Sequence, residues 1–149
     1  MKISAILPAG GSSSRYGNRD KLAEDLGGRP LLLRTVEFFT KREDISEIVV
    51  AGPCDRFDEF HDRFGPALSF HDVTIVEGGT TRCDSVSNAI RCLSVDVDRI
   101  AIHDAARPAL FNSLFDKLLL ASNEYPAVAA AIHIHGTLKK AESTPNVIG

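Results

Sequence analysis

Three side chains stand out as able to do chemistry on an anionic substrate: Arg15, Lys21 and Asp104. The two cations follow Pro8-Ala9-Gly10-Gly11-Ser12-Ser13-Ser14, a run of small residues directly behind the apolar stretch Ile3 to Leu7. Small residues let backbone N–H groups approach an anion. Glycine also tolerates the positive-φ turns that aim several of those groups at one point. A buried strand, an N–H-rich loop and two cations together make a cradle for a polyphosphate. Neither of two better-known loops fits. No Lys-Ser/Thr pair follows a final glycine, as a Walker A loop requires, and the G-x-G-x-x-G spacing of the dinucleotide fingerprint is missing. A flexible linker of this composition would be out of place directly behind an amino-terminal buried strand.

Asp104 lies in His103-Asp104-Ala105-Ala106-Arg107-Pro108, just past an apolar run. A carboxylate near phosphate-binding N–H groups is a natural Mg²⁺ ligand, because Mg²⁺ takes one or two carboxylates plus phosphate oxygens and water. The alternative is a structural Asp104 that caps a turn or pairs with Arg107. A second small-residue loop, Gly78-Gly79-Thr80-Thr81-Arg82-Cys83-Asp84-Ser85, leads into a helix. Free N–H groups at a helix start can hold an anion or a base edge, and Ser85 with the Gly79 backbone could read a nucleobase. Ordinary capping by Thr81 and Asp84 is compatible with that role. His133 and His135 alternate on one face but lack the further ligands a metal site needs. Ser12 to Ser14 lack the G-x-S-x-G elbow of a serine hydrolase. The parts point to nucleotidyl transfer. Lys21 and Arg15 would neutralise charge growing on an α-phosphate, and Mg²⁺ on Asp104 would bridge the phosphates.

The elements that must position these groups follow from hydrophobic spacing. Pro30 suits the first residue of a helix, with Leu32, Val36 and Phe39 on its apolar face and Lys41-Arg42 near its end. Strands are expected at Ile45 to Ala51, Val73 to Glu77, Arg99 to His103 and Ala127 to Ile134. Asp55 and Asp58 read as the cap of a helix carrying Phe57, Phe60 and Phe64. Thr80 or Thr81 caps a helix with Val86, Ile90 and Leu93 inward. Asn112 caps one with Leu114, Leu118 and Ala121 inward. The tail from Gly136 is polar. Strand and helix thus alternate, which implies a parallel sheet with helices on both faces and right-handed crossovers. Ligands in such sheets bind outside the carboxyl ends of the strands. The loops 8–21, 78–85 and 104–108 all follow strands, so they are expected to converge.

Composition narrows the classes. The 149 residues suit one domain and are 44% hydrophobic, enough for a core. A net charge of −3 argues against a nucleic-acid partner. No run approaches the roughly 18 apolar residues of a membrane span. The sparse, odd set Cys54, Cys83 and Cys92 has no metal-like spacing and fits reduced thiols in a cytoplasmic setting.

Several segments together resemble the bacterial 2-C-methyl-D-erythritol 4-phosphate cytidylyltransferases of the non-mevalonate isoprenoid pathway. They are Leu7 to Arg15, Asp20-Lys21-Leu22, Leu26 to Leu31, Glu77 to Val86, His103 to Pro108 and Gly136 to Ala141. The first loop is shared by many nucleotidyltransferases, whereas the Gly78-Gly79 and His103-Asp104 segments in combination are far more specific. The resemblance implies a Rossmann-like, three-layer α/β/α nucleotidyltransferase fold, with a dimerisation arm starting around Thr137 that reaches across a homodimer. It implies CTP as donor, a sugar-alcohol phosphate (methylerythritol phosphate) as acceptor, and Mg²⁺ as cofactor. It places Arg15 and Lys21 as the catalytic cations. Ala9, Gly10, Gly11, Gly79, Thr80 and Ser85 stand at cytidine- and phosphate-contacting positions, Asp104 at the Mg²⁺ carboxylate, and Arg107, Thr137 and Ala105 near the acceptor. The chain departs from the pattern at His133-Ile134-His135-Gly136-Thr137, where Gly136 replaces an acid. Family members are also longer, and their later acceptor-positioning Arg and Lys have no counterpart before Gly149. The resemblance therefore implies a single nucleotidyltransferase domain over residues 1–149 that lacks its carboxyl-terminal third. Related readings are a cytidylyltransferase for another acceptor, such as ribitol 5-phosphate, and a non-catalytic nucleotide-binding module.

Overall fold

A computed structural model describes residues 1–11, 20–94 and 96–137. Arg15, the serines 12–14 and the segment after Thr137 lie outside the described residues. Two compact units are distinguished, Met1–Leu110 and Phe111–Gly149.

The first unit is built on a parallel sheet of β1 (Ile3–Pro8), β2 (Ile45–Gly52), β3 (Val73–Glu77) and β4 (Arg99–Ile102), in the order β3-β2-β1-β4. β1 pairs with β2 on one side and β4 on the other, so Ile6 faces Val49 and Ile102 across the ladders. The two central strands are buried on both faces, which is why they read as continuous apolar runs rather than alternating ones. Ser4, fully buried on β1, is satisfied by a hydrogen bond to the Glu47 carboxylate.

Helices α1 (Leu31–Thr40), α2 (Phe57–Phe70) and α3 (Arg82–Ile90) cover this sheet. Side chains alternate across a strand, so Val49 and Ala51 point one way while Ile48, Val50 and Gly52 point the other. Ala89 of α3 packs with Ile6, Val49 and Ala51. A Cβ on Gly52 would strike the Phe60 and Phe57 rings of α2, at 2.9 and 3.1 Å. Phe39 of α1 lies against the His103 ring. The layers are therefore α3 on one face and α1 with α2 on the other, the three-layer arrangement expected.

Leu32, Val36 and Phe39 are the buried stripe of α1, and Phe60 and Phe64 are buried in α2, as their spacing predicts. In this unit one helix face and one helix cap differ from expectation. On α3 the buried residues are Ser85 and Ala89, while Ile90 is 44% exposed. Small side chains let this helix sit close to the sheet, and Leu93, just beyond its end, packs partly buried against the same cluster. Asp55 and Asp58 do not cap α2: a 3-10 turn, Cys54–Arg56, precedes it, and Arg56 occupies the cap position with no side-chain hydrogen bond.

The second unit contains α4 (Asn112–Ala121), whose cap residue is Phe111 rather than Asn112. Its buried side chain is Phe115, while Leu114, expected inward, is exposed. The strand expected at Ala127 to Ile134 is not formed. Those residues are described without sheet pairing, and Ile132 and Ile134 are 92% and 68% exposed. A β-branched run becomes a strand only where a neighbouring strand takes its backbone N–H and C=O groups, and the described sheet has four strands. No helix among the described residues is long and apolar enough to cross a membrane.

Candidate active site

The carboxyl ends of the strands are stitched together by hydrogen bonds. Ala9 N–H donates to the Ala51 carbonyl at 2.8 Å, linking the loop after β1 to the end of β2. Gly78 N–H donates to the Gly52 carbonyl at 2.9 Å, linking the loop after β3 to the same place. On the other flank, His103 N–H donates to Ile6 O at 2.9 Å and Ala105 N–H to Pro8 O at 3.2 Å. The loops after all four strands therefore meet along one rim, as the alternating pattern predicts.

Gly10 and Gly11 are exposed on this rim. They are not the positive-φ glycines expected there. Among the described residues Gly27 and Gly28, in the turn before α1, hold that conformation. Gly10 and Gly11 leave β1 without positive φ, and a Cβ placed on Gly11 would meet none of the described residues within 4 Å.

Gly78 and Gly79 are required by close approach. A Cβ on Gly78 would sit 2.5 Å from the Gly52 carbonyl oxygen, and one on Gly79 would sit 2.2 Å from Asp84 Cβ. The loop is pressed onto the start of α3 by a reciprocal cap. Thr81 Oγ1 accepts from Asp84 N–H at 3.1 Å, and Asp84 Oδ2 accepts from Thr81 N–H at 3.2 Å. The Thr81 hydrogen bonds hold the Asp84 carboxyl below its ordinary range, against a smaller opposing effect of burial. Thr80 is exposed, its hydroxyl 3.4 Å from Asp84 Oδ2. Buried Ser85 accepts from Gly79 N–H at 3.0 Å and donates to the Thr81 carbonyl at 3.0 Å. The two groups expected to read a base thus satisfy one another, with one lone pair of the Ser85 hydroxyl left over.

Asp104 sits one residue beyond His103, past the end of β4. Its Oδ1 takes a 2.8 Å ion pair from Arg82 Nη2 and its Oδ2 a 2.9 Å ion pair from Arg107 Nε. Burial pushes its pKa up, but the Arg82 hydrogen bond and charge, then Arg107 and His103, outweigh it, so the carboxyl lies below its ordinary range. The turn is rigid. Arg107 N–H donates to Asp104 O at 3.0 Å, His103 Nε2 meets Arg107 O at 2.8 Å, and Thr35 Oγ1 donates to the carbonyl of fully buried Ala105 at 2.8 Å. The structural alternative for Asp104, a pair with Arg107, is formed. The Arg82 pair, between residues 22 positions apart, was not anticipated; the available signal was a cation at the first position of a helix that opens onto the rim.

Lys21 begins a 3-10 turn, Lys21–Ala23, that Asp20 caps by accepting from Leu22 N–H at 3.1 Å. Buried Leu22 anchors the turn, Leu31 N–H donates to Glu24 O at 2.9 Å, and Asp20 also pairs with Arg63 of α2 at 3.5 Å. Lys21 is half-buried. Thr137 is exposed and belongs to the second unit.

The Asp104 carboxylate, held below its ordinary range on the rim, is the donor type that Mg²⁺ arriving with phosphates takes. Among the described residues no three His, Cys, Asp or Glu side chains cluster to hold a resident ion.

The model of the family described as IspD, 2-C-methyl-D-erythritol 4-phosphate cytidylyltransferase, matches residues 3–149. A 2-C-methyl-D-erythritol 4-phosphate cytidylyltransferase of Frankia casuarinae is 35% identical over 99% of this chain and 54% of its own length. Among solved structures, a 4-diphosphocytidyl-2C-methyl-D-erythritol synthase from Anaerococcus prevotii is 31% identical. It superposes with a TM-score of 0.66 over 82% of this chain and 51% of its own. A second structure of a 4-diphosphocytidyl-2C-methyl-D-erythritol synthase, 28% identical, gives 0.76 over 95% and 64%. The chain thus spans little more than half the length of several relatives it matches. Sequence motifs, sheet order and family model agree: the chain belongs to the IspD family of 2-C-methyl-D-erythritol 4-phosphate cytidylyltransferases.

Proposed function

We propose that this chain carries the CTP-binding half of a cytidylyltransferase that makes diphosphocytidyl-methylerythritol for isoprenoid precursors. A phosphate oxygen of 2-C-methyl-D-erythritol 4-phosphate attacks the α-phosphorus of CTP. The new P–O bond forms as the bond to the α,β-bridging oxygen breaks, and pyrophosphate leaves with that electron pair. Lys21 and Arg15 stabilise the charge gathered on the α-phosphate. Backbone N–H groups of exposed Gly10 and Gly11 would hold the phosphates, and Gly79, Thr80 and Ser85 would lie along the cytidine. Asp104 would hold Mg²⁺, which when bound neutralises phosphate charge. Arg107 would contact the acceptor, whereas Ala105, fully buried with its N–H and C=O both hydrogen-bonded, supports the turn that carries it. The working form is a cytoplasmic homodimer.

The observation that carries this reading is the joining of the loops after β1, β3 and β4 at one rim, with the Arg82–Asp104 ion pair spanning the latter two. The test is pyrophosphate release from CTP, with ATP, GTP and UTP as competing donors. Methylerythritol phosphate and ribitol 5-phosphate are offered as acceptors. Release confined to CTP with methylerythritol phosphate is expected. Equal or greater release with ribitol 5-phosphate would reassign the acceptor.

A further inference from the structure

Arg82 has no part in the proposed reaction, yet its position is unusual for a purely structural cation. It is the first residue of α3, on the helix whose start carries Gly79, Thr80 and Ser85. Its side chain is 60% exposed, while the Asp104 carboxylate it pairs with is 34% exposed. Asp104 does not depend on it, because Arg107 holds the other carboxylate oxygen at 2.9 Å. Nor does α3 depend on it, because the reciprocal Thr81–Asp84 cap already fixes the start of that helix. An exposed ion pair contributes little stability, so breaking this one is cheap. A guanidinium matches a phosphate in planar, two-pronged fashion better than any other side chain.

Resting on the triphosphate reading of the rim, we propose that Arg82 is a phosphate-binding residue that changes partner. It is paired with Asp104 in the free protein and turns to the incoming triphosphate when that arrives. The exchange leaves one oxygen of Asp104 open for a divalent cation, while Arg107 keeps the other neutralised. Neither guanidinium is left unpaired at either stage, so the rim does not hold excess positive charge when empty.

The test is calorimetry on the full chain with three probes: CTP, cytidine and inorganic tripolyphosphate. Arg82→Gln should weaken CTP and tripolyphosphate by about tenfold or more, the loss of one charge-assisted hydrogen bond, and leave cytidine unchanged. Arg82→Lys should recover part of the loss. Asp104→Asn, which releases Arg82 in advance, should tighten tripolyphosphate several-fold in EDTA. Tripolyphosphate binding that depends on Arg82 in a protein indifferent to CTP would keep the proposal and remove the cytidine reading. CTP binding untouched by Arg82→Gln, or cytidine weakened as much as CTP, would overturn the proposal and keep that reading. A wild-type chain that binds neither phosphate probe would overturn both.

Discussion

Lys21→Ala should reduce pyrophosphate release by about 10²–10³-fold while leaving the thermal midpoint nearly unchanged. The size follows from removing one preorganised cation from the place where charge develops in the transition state. The specificity of the effect follows from how Lys21 is held. Asp20 accepting from Leu22 N–H, buried Leu22, and the Lys21 carbonyl accepting from Glu24 N–H at 3.3 Å build the turn. None of these uses the lysine amine. The substitution therefore removes charge without removing structure. Steady-state release at saturating CTP, run beside a thermal melt, checks both halves. A loss under tenfold, or a loss matched by a large fall in melting temperature, would contradict the assigned role.

Gly79→Ala is expected to have the largest effect on the fold of the site. Its new Cβ would lie 2.2 Å from Asp84 Cβ and 3.1 Å from the Asp84 carbonyl carbon. Backbone cannot swing aside as a flexible side chain can, so the loop or the start of α3 must move. Overpacking of this kind costs about 1–3 kcal/mol. It would also break the Gly79–Ser85 hydrogen bond and displace the loop from the rim. A melting temperature lower by several degrees, together with loss of CTP binding, is expected. Thr81→Ala, which loses only the cap, should cost about 1 kcal/mol. Gly11→Ala, whose Cβ meets none of the described residues within 4 Å, should leave stability unchanged. Equal melts for Gly79→Ala and Gly11→Ala would contradict the packing argument.

What the sequence made legible is local and periodic. Val73 to Glu77 and Ile45 to Ala51 each end at a glycine and are rich in β-branched residues, and both are strands, the second one residue longer. Leu32, Val36 and Phe39 recur at helical spacing and are buried. Periodicity records hydrophobicity but not size, so it placed Ile90 inward on α3, where small Ser85 and Ala89 make the contact. Composition could not show which glycines take positive φ. The first loop looked the better candidate, and the turn Gly27-Gly28 took that role. The run Ala127 to Ile134 had the composition of a strand, but pairing is a property of its neighbours. Arg82 shows the same limit at the site. A salt bridge across 22 residues depends on two loops meeting, which only the sheet order determines. Arg15 lies outside the described residues.

Whether loops far apart in the chain build one triphosphate pocket is tested most directly by a crystal structure of the full chain with CTP and magnesium. The triphosphate is expected against Gly10, Gly11 and Lys21, the cytosine beside Gly79 to Ser85, and Asp104 turned toward the metal. A nucleotide seated anywhere other than this rim, or an ordered rim that leaves it vacant at saturating CTP, would contradict it.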